Sequence, residues 1–136
     1  MKYLILIMLM SNCLWSQNLD KHQWEERVLF IVADEDNLEL AERQFDILIK
    51  DKKELIDRDL VLYKCLEEKC TFYNFKNKSE TSKETTIFKG FKLVLIGLDG
   101  AEKYSTNTLV KTDVIFRLID SMPMRRREVE NRRKND

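Results

Sequence analysis

The chain has 136 residues, with 24 lysines and arginines set against 24 aspartates and glutamates. That length makes one domain, able to bury roughly two-thirds of its unfolded surface. The balanced charge excludes global steering toward nucleic acid, and a single histidine, His22, leaves a histidine-based metal or acid–base centre without its other members.

Residues 3–10 form an unbroken apolar run behind Lys2, with Ser11, Asn12 and Ser16 after it. A membrane-crossing helix needs about 20 apolar residues. The shorter run predicts a secretory signal peptide over residues 1–16, with no transmembrane segment left after cleavage. Export places the protein in the periplasm or outside the cell. Cys13 leaves open a lipoprotein anchored through that cysteine, although Asn12 is larger than such processing normally takes. Residues 17–26 are a polar lead-in carrying His22 and Trp24. The domain proper is expected over residues 27–130, with a basic tail at 131–136.

Residues 27–33 (RVLFIVA) are β-branched and aromatic and predict a buried strand. The acids at 34–36 and Asn37 predict a helix entry, with Asp36 as N-cap and Glu39 three residues on. The helix then presents Leu38, Ala41, Phe45, Leu48 and Ile49 on one face and continues or restarts through Leu55 and Ile56. Residues 60–63 (LVLY) predict the next strand, completing a right-handed βαβ unit. Residues 76–86 (KNKSETSKETT) lack apolar periodicity and read as a mobile surface loop.

The strongest strand signal is FKLVLIGLDG at residues 91–100, apolar enough to be buried on both faces. Asp99 and Gly100 supply the φ > 0 positions of a hairpin turn, and residues 101–106 return as its partner. Thr112 or Asp113 then caps a helix with Val114, Ile115, Leu118 and Ile119 inward. Pro123 interrupts it, and Ser121 caps a new helix from Met122. The fold class is α/β: a single-domain thioredoxin-like sandwich, β-α-β followed by β-β-α.

After signal cleavage only Cys65 and Cys70 remain, and an oxidising compartment favours pairing them. Fully extended, their Cα atoms would stand about 17 Å apart. A bridge needs less than about 7 Å, so residues 66–69 must turn.

Several separated stretches carry a family resemblance. They are Trp24 and Arg27; Asp57-Arg58-Asp59-Leu60; Leu95-Ile96-Gly97-Leu98-Asp99-Gly100 with Lys103; and Ile119-Asp120-Ser121-Met122-Pro123-Met124-Arg125 with Glu128. Together they resemble an uncharacterised domain family of small exported bacterial proteins, shared with animal sushi-repeat-containing extracellular proteins. The resemblance covers nearly the whole mature chain and implies a thioredoxin- or peroxiredoxin-like fold. It implies no established enzymatic activity, and adhesion or matrix association only by analogy.

Thioredoxin-like enzymes keep their reactive cysteine where the first strand meets the first helix, whose N-terminus lowers the thiol pKa. Here residues 33–37 hold three acids and no thiol, and the chain's only proline is Pro123 rather than one preceding the third strand. The usual thiol layout is absent, leaving Cys65 and Cys70 as a structural bridge or, alternatively, a redox pair. The acids at 34–36 read as capping groups rather than a calcium loop. Met122 and Met124 read as core fillers rather than a copper(I) site. Arg58, between Asp57 and Asp59, reads as a buried structural pair or a surface turn. The arginines of residues 125–136 read as a solvated helix end, with an anionic surface as the alternative. No cofactor is implied. The expected role is a module that binds a protein or an envelope polymer; the alternative is a thiol–disulfide or peroxide-linked redox protein.

Overall fold

The computed structural model describes residues 21–66, 69–76, 80–83 and 88–136. The expected signal peptide, Cys13 and the start of the lead-in lie outside the described residues, as do residues 77–79 and 84–87 of the expected loop.

A six-stranded sheet forms the centre, in the order β4-β3-β2-β1-β5-β6. Strand β1 (Arg27–Ala33) is followed by a short 3-10 turn (Glu35–Asn37), helix α1 (Leu38–Ile49), helix α2 (Lys52–Asp57) and strand β2 (Leu60–Leu66). Strands β1 and β2 are parallel, completing the predicted βαβ unit. Strand β5 (Phe91–Ile96) runs antiparallel to β1, and β6 (Glu102–Thr106) antiparallel to β5. Helix α3 (Thr112–Asp120) and helix α4 (Pro123–Asn135) close the chain. The order β2-β1-β5-β6 is that of the expected thioredoxin-like sandwich.

Alternation along the strands divides the core in two. Leu29, Ile31, Leu62, Leu93 and Leu95 join Ala41 and Leu48 of α1, Leu55 of α2, and Ile115 and Ile119 of α3. Val28, Phe30, Val61, Tyr63, Val94 and Ile96 face the other way, where Phe72 and Phe88 pack against them. His22 joins that second face, stacked on Phe72 with ring centroids 5.5 Å apart.

Several expectations need correction. The strand expected at 60–63 runs on to Leu66 and folds back as β3 (Lys69–Tyr73), with β4 (Glu80–Lys83) outside it. Strand β4 therefore lies inside the stretch expected to be a mobile loop. It pairs through its backbone with β3 and carries polar residues, as edge strands do, so apolar periodicity could not reveal it. Helix α1 begins after the 3-10 turn, and neither Asp36 nor Asn37 makes a side-chain cap. Asp34 is the bonded acid: its carboxylate accepts from Asn37 Nδ2 at 2.6 Å and from the Gly90 N–H at 2.6 Å. Leu38 and Ile49 are exposed, while Gln44 is buried in their place. Its amide donates to the Val110 carbonyl and accepts from the Val110 N–H, which satisfies both groups.

In the β5–β6 turn only Gly100 has positive φ (79°), not Asp99. Lys111 rather than Thr112 or Asp113 precedes α3, because Thr112 is already helical and donates to the Ile47 carbonyl. Met122 rather than Ser121 precedes α4, with Pro123 in the first turn, where a missing N–H costs nothing. Helix α4 continues through residues 131–135, which were expected as a tail.

Candidate functional site

The amino ends of β1 and β2 carry arginines where strands normally carry apolar groups. Arg27 opens β1 and is 1% exposed; Arg58, just before β2, and Arg125, in the first turn of α4, are also buried. A buried guanidinium must be paired and hydrogen-bonded. Arg58 forks onto Asp120, Nε to Oδ1 at 3.0 Å and Nη2 to Oδ2 at 2.9 Å, and reaches Glu54 at 2.8 Å. Its guanidinium also lies 4.2 Å from the centroid of Phe116. Arg125 donates to Asp57 Oδ2 at 2.6 Å, to the Asp57 carbonyl at 3.0 Å and to Glu128 at 3.1 Å. Arg27 takes the other oxygen of Glu128 at 2.9 Å and the Arg58 carbonyl at 2.9 Å. Arg132 completes the set on Asp57.

Four arginines (27, 58, 125 and 132) thus meet four carboxylates (Glu54, Asp57, Asp120 and Glu128). The electrostatics follow from the contacts. Burial pushes the Asp57 and Asp120 carboxyls up, but the bonds and charges of their arginines outweigh it and hold both below the ordinary value of 3.8. Asp59 goes the other way: burial, then the charge of Glu128, raises it. Asp59 also holds φ at +50°, a left-handed conformation that aspartate tolerates better than most residues. Its carbonyl accepts the Arg27 N–H at 2.8 Å and so starts the β1–β2 register.

Beside this network the β5–β6 turn meets the start of α4. Leu98, Asp99, Lys103, Met122, Pro123 and Met124 surround a cavity of about 280 Å³ with Arg27 in its lining. Lys103 pairs with Asp99 at 2.7 Å, which with the Ala101 N–H lowers the Asp99 carboxyl. Gly97 lets the Lys103 stem lie against the turn: a Cβ there would stand 2.7 Å from Lys103 Cε and make that side chain shift. Gly100 provides the positive φ of the turn. Residues quoted from four separated stretches are therefore neighbours at one end of the sheet: Arg27, Arg58, Asp59, Asp120 and Arg125 in the arginine network, and Gly97, Asp99, Gly100, Met122, Pro123 and Met124 around the turn.

A family model described as "Domain of unknown function (DUF4174)" matches residues 18–128. The chain belongs to this family. No curated protein and no solved structure matches it. The DUF4174 match contains the whole arginine network except Arg132, and all of the cavity.

The opposite end of the sheet differs. The β1–α1 junction holds Asp34, tied to Asn37 and Gly90; the bonds to Asn37 and Gly90 keep its carboxyl below the usual range. No thiol stands there. Cys65 and Cys70 face each other across β2 and β3 and are joined in a disulfide with Cα atoms 4.0 Å apart, each 3% exposed. Among the described residues no group of three or more His, Cys, Asp or Glu side chains could hold a metal ion, and no helix is long and apolar enough to cross a membrane.

Sequence reasoning missed two features. His22, read as isolated, is buried between Glu26 (2.7 Å) and the Tyr63 hydroxyl (2.6 Å) and anchors the lead-in to the second face. Its partner lies 41 residues away in a strand, so no spacing could reveal it. The second is the burial of Arg27 and its pairing with Glu128, for which an arginine at the head of an apolar strand was the available signal.

Proposed function

We propose that the protein is an exported interaction module without thiol chemistry, which meets an acidic partner of the cell envelope through the exposed arginines of α4. The observation that carries this is the division of charge along that helix. Arg125 and Arg132 are used up by Asp57 and Glu128, whereas Arg126 and Arg133 are exposed and make no ion pair among the described residues. Both line a groove of about 560 Å³ with Val129, Glu130, Arg58, Arg125 and Asp120. Seven residues apart, they lie on one helix face about 10.5 Å from each other along the axis. That places two unpaired cations along one line, which a linear polyanion can span. Helix α4 has no apolar face to insert into lipid, and the neutral chain gives no general pull toward nucleic acid.

Binding to polygalacturonate and to polyglutamate, measured at two salt concentrations, tests the reading. The native protein should bind at least one of them, more weakly as salt rises, and the Arg126→Glu, Arg133→Glu double variant should not. Equal binding by that variant would sink the idea. The redox alternative rests on the position of Cys65, paired with Val32 near the carboxyl end of β1. Against it stands the burial of both sulfurs in a cross-strand pair. The Cys65→Ser, Cys70→Ser double variant should keep polymer binding intact.

A further inference from the structure

The two faces of the sheet are covered unequally by the described residues. Helices α1, α2 and α3 all pack on the first face, through Ala41, Leu48, Leu55, Ile115 and Ile119. The only buried residue of α4 is Arg125, which belongs to the arginine network. The chain between β2 and β5 adds strands β3 and β4 and, among the described residues, no helix. Among those residues the second face therefore has only Phe72, Phe88 and His22 packed against it. Its aliphatic side chains are nonetheless sealed: Val28, Val32, Val61, Val94 and Ile96 are between 1% and 5% exposed. Neighbours within one sheet stand side by side and cannot cover each other's tips. A sheet face is sealed by a second layer, about 10 Å above it.

We infer that residues 3–15 of this chain lie across the second face and form its cover. Composition singles them out. Residues 67–68, 77–79 and 84–87 hold one apolar side chain, Ile87, whereas residues 3–10 are apolar throughout and Leu14 and Trp15 follow. The chain also emerges in the right place. Lys21, where the described residues begin, lies over Phe72 with its ammonium 5.4 Å from the ring centroid. His22 beside it is bonded to the Tyr63 hydroxyl at 2.6 Å, and both rings belong to the second face. From Trp15 to Lys21 the chain can span about 20 Å. Three strand spacings, from β3 across β2 and β1 to β5, come to only about 14 Å. The apolar run expected to direct export thus doubles as a removable cover, and cleavage near residue 16 would bare an apolar face on the exported domain. The inference concerns the uncleaved chain and is separate from the Arg126–Arg133 groove, so neither reading depends on the other.

Nuclear Overhauser spectroscopy of methyl-labelled, uncleaved full chain tests the proposal. Methyl groups of residues 4–9 should show cross-peaks to those of Val61, Val94 or Ile96, and mixing labelled with unlabelled chains should show that they arise within one molecule. The Ile5→Asp, Ile7→Asp variant puts two charges into the cover without touching a strand. It should lose these cross-peaks and bind the apolar dye ANS several-fold more strongly. The methyl shifts of Leu29, Leu62 and Leu93, on the first face, should stay in place. Should the variant fail to fold, the cross-peaks of the native chain carry the test. Cross-peaks that arise only between two chains would overturn the proposal and assign the face to a second copy. Their absence from the folded native chain, or unchanged dye binding by the folded variant, would overturn it as well.

Discussion

The two ends of the sheet show opposite solutions to the same problem. At the carboxyl end of β1, where a thioredoxin-like enzyme would keep a thiol under a helix N-terminus, the chain places Asp34 bonded to Asn37 and Gly90. The nearby cysteines are closed in a buried disulfide. At the amino end four arginines and four carboxylates interlock beside the β5–β6 turn. The residues that define the family resemblance gather there. A shared arrangement of strands does not by itself fix which end of the sheet carries function.

Breaking the network should have the largest effect. Glu128→Gln removes the carboxylate that serves both Arg27 and Arg125. It leaves the buried Arg27 without an anionic partner among the described residues, while Arg125 keeps Asp57, at a cost of about 3 kcal/mol in urea unfolding. Glu35→Gln, exposed at the other end, should stay within about 0.5 kcal/mol. Comparable losses from the two variants would erase the contrast between the ends.

Opening the disulfide comes next. The Cys65→Ser, Cys70→Ser variant should lose about 2 kcal/mol, the value expected for so short a loop, and keep its far-UV circular dichroism. Loss of the fold would show that the bridge does more than tie one hairpin.

Acid should weaken the amino end. The carboxyls of Asp57 and Asp120 are depressed in the folded state, so the stability they add is full above the unfolded value of 3.8 and is lost as pH falls through their folded values. Unfolding free energy should therefore drop below about pH 4, and the Asp57→Asn, Asp120→Asn variant should show a flatter profile there. An unchanged slope would remove these pairs from the account.

The smallest effect has the opposite sign. Asp59 is raised by burial and by Glu128, so it is the ionised form that costs stability, and that cost appears as pH rises from 3.8 through its folded value. Asp59→Asn keeps a residue suited to positive φ and should stabilise the protein at pH 7 by less than about 1 kcal/mol. A destabilised variant would mean that the carboxylate makes a contribution beyond its charge.

The fold was legible wherever burial writes a period into the chain. The apolar runs of β1, β2 and β5 and the inward face of α3 marked the sandwich. Strand β4 was not legible, because a polar edge pairs by backbone and needs no apolar alternation; β3, an inner strand, is too short to show a period although Cys70, Phe72 and Tyr73 pack against the core. The end of β2 was misjudged for a related reason: Lys64 interrupts the apolar run, while Cys65 beyond it is buried. The motif residues were visible as residues but not as a site. Arg58 and Asp120 are 62 positions apart, and Arg27 and Glu128 are 101 apart, distances that only the folded chain closes.

The central claim is that the working surface lies at the amino end of the sheet. Amide chemical-shift mapping of the full chain during titration with polygalacturonate tests it most directly. The account predicts perturbations along α4 around Arg126 and Arg133, with residues 34–37 and 88–90 unmoved. Shifts concentrated at the β1–α1 junction, or around Cys65 and Cys70, would contradict it.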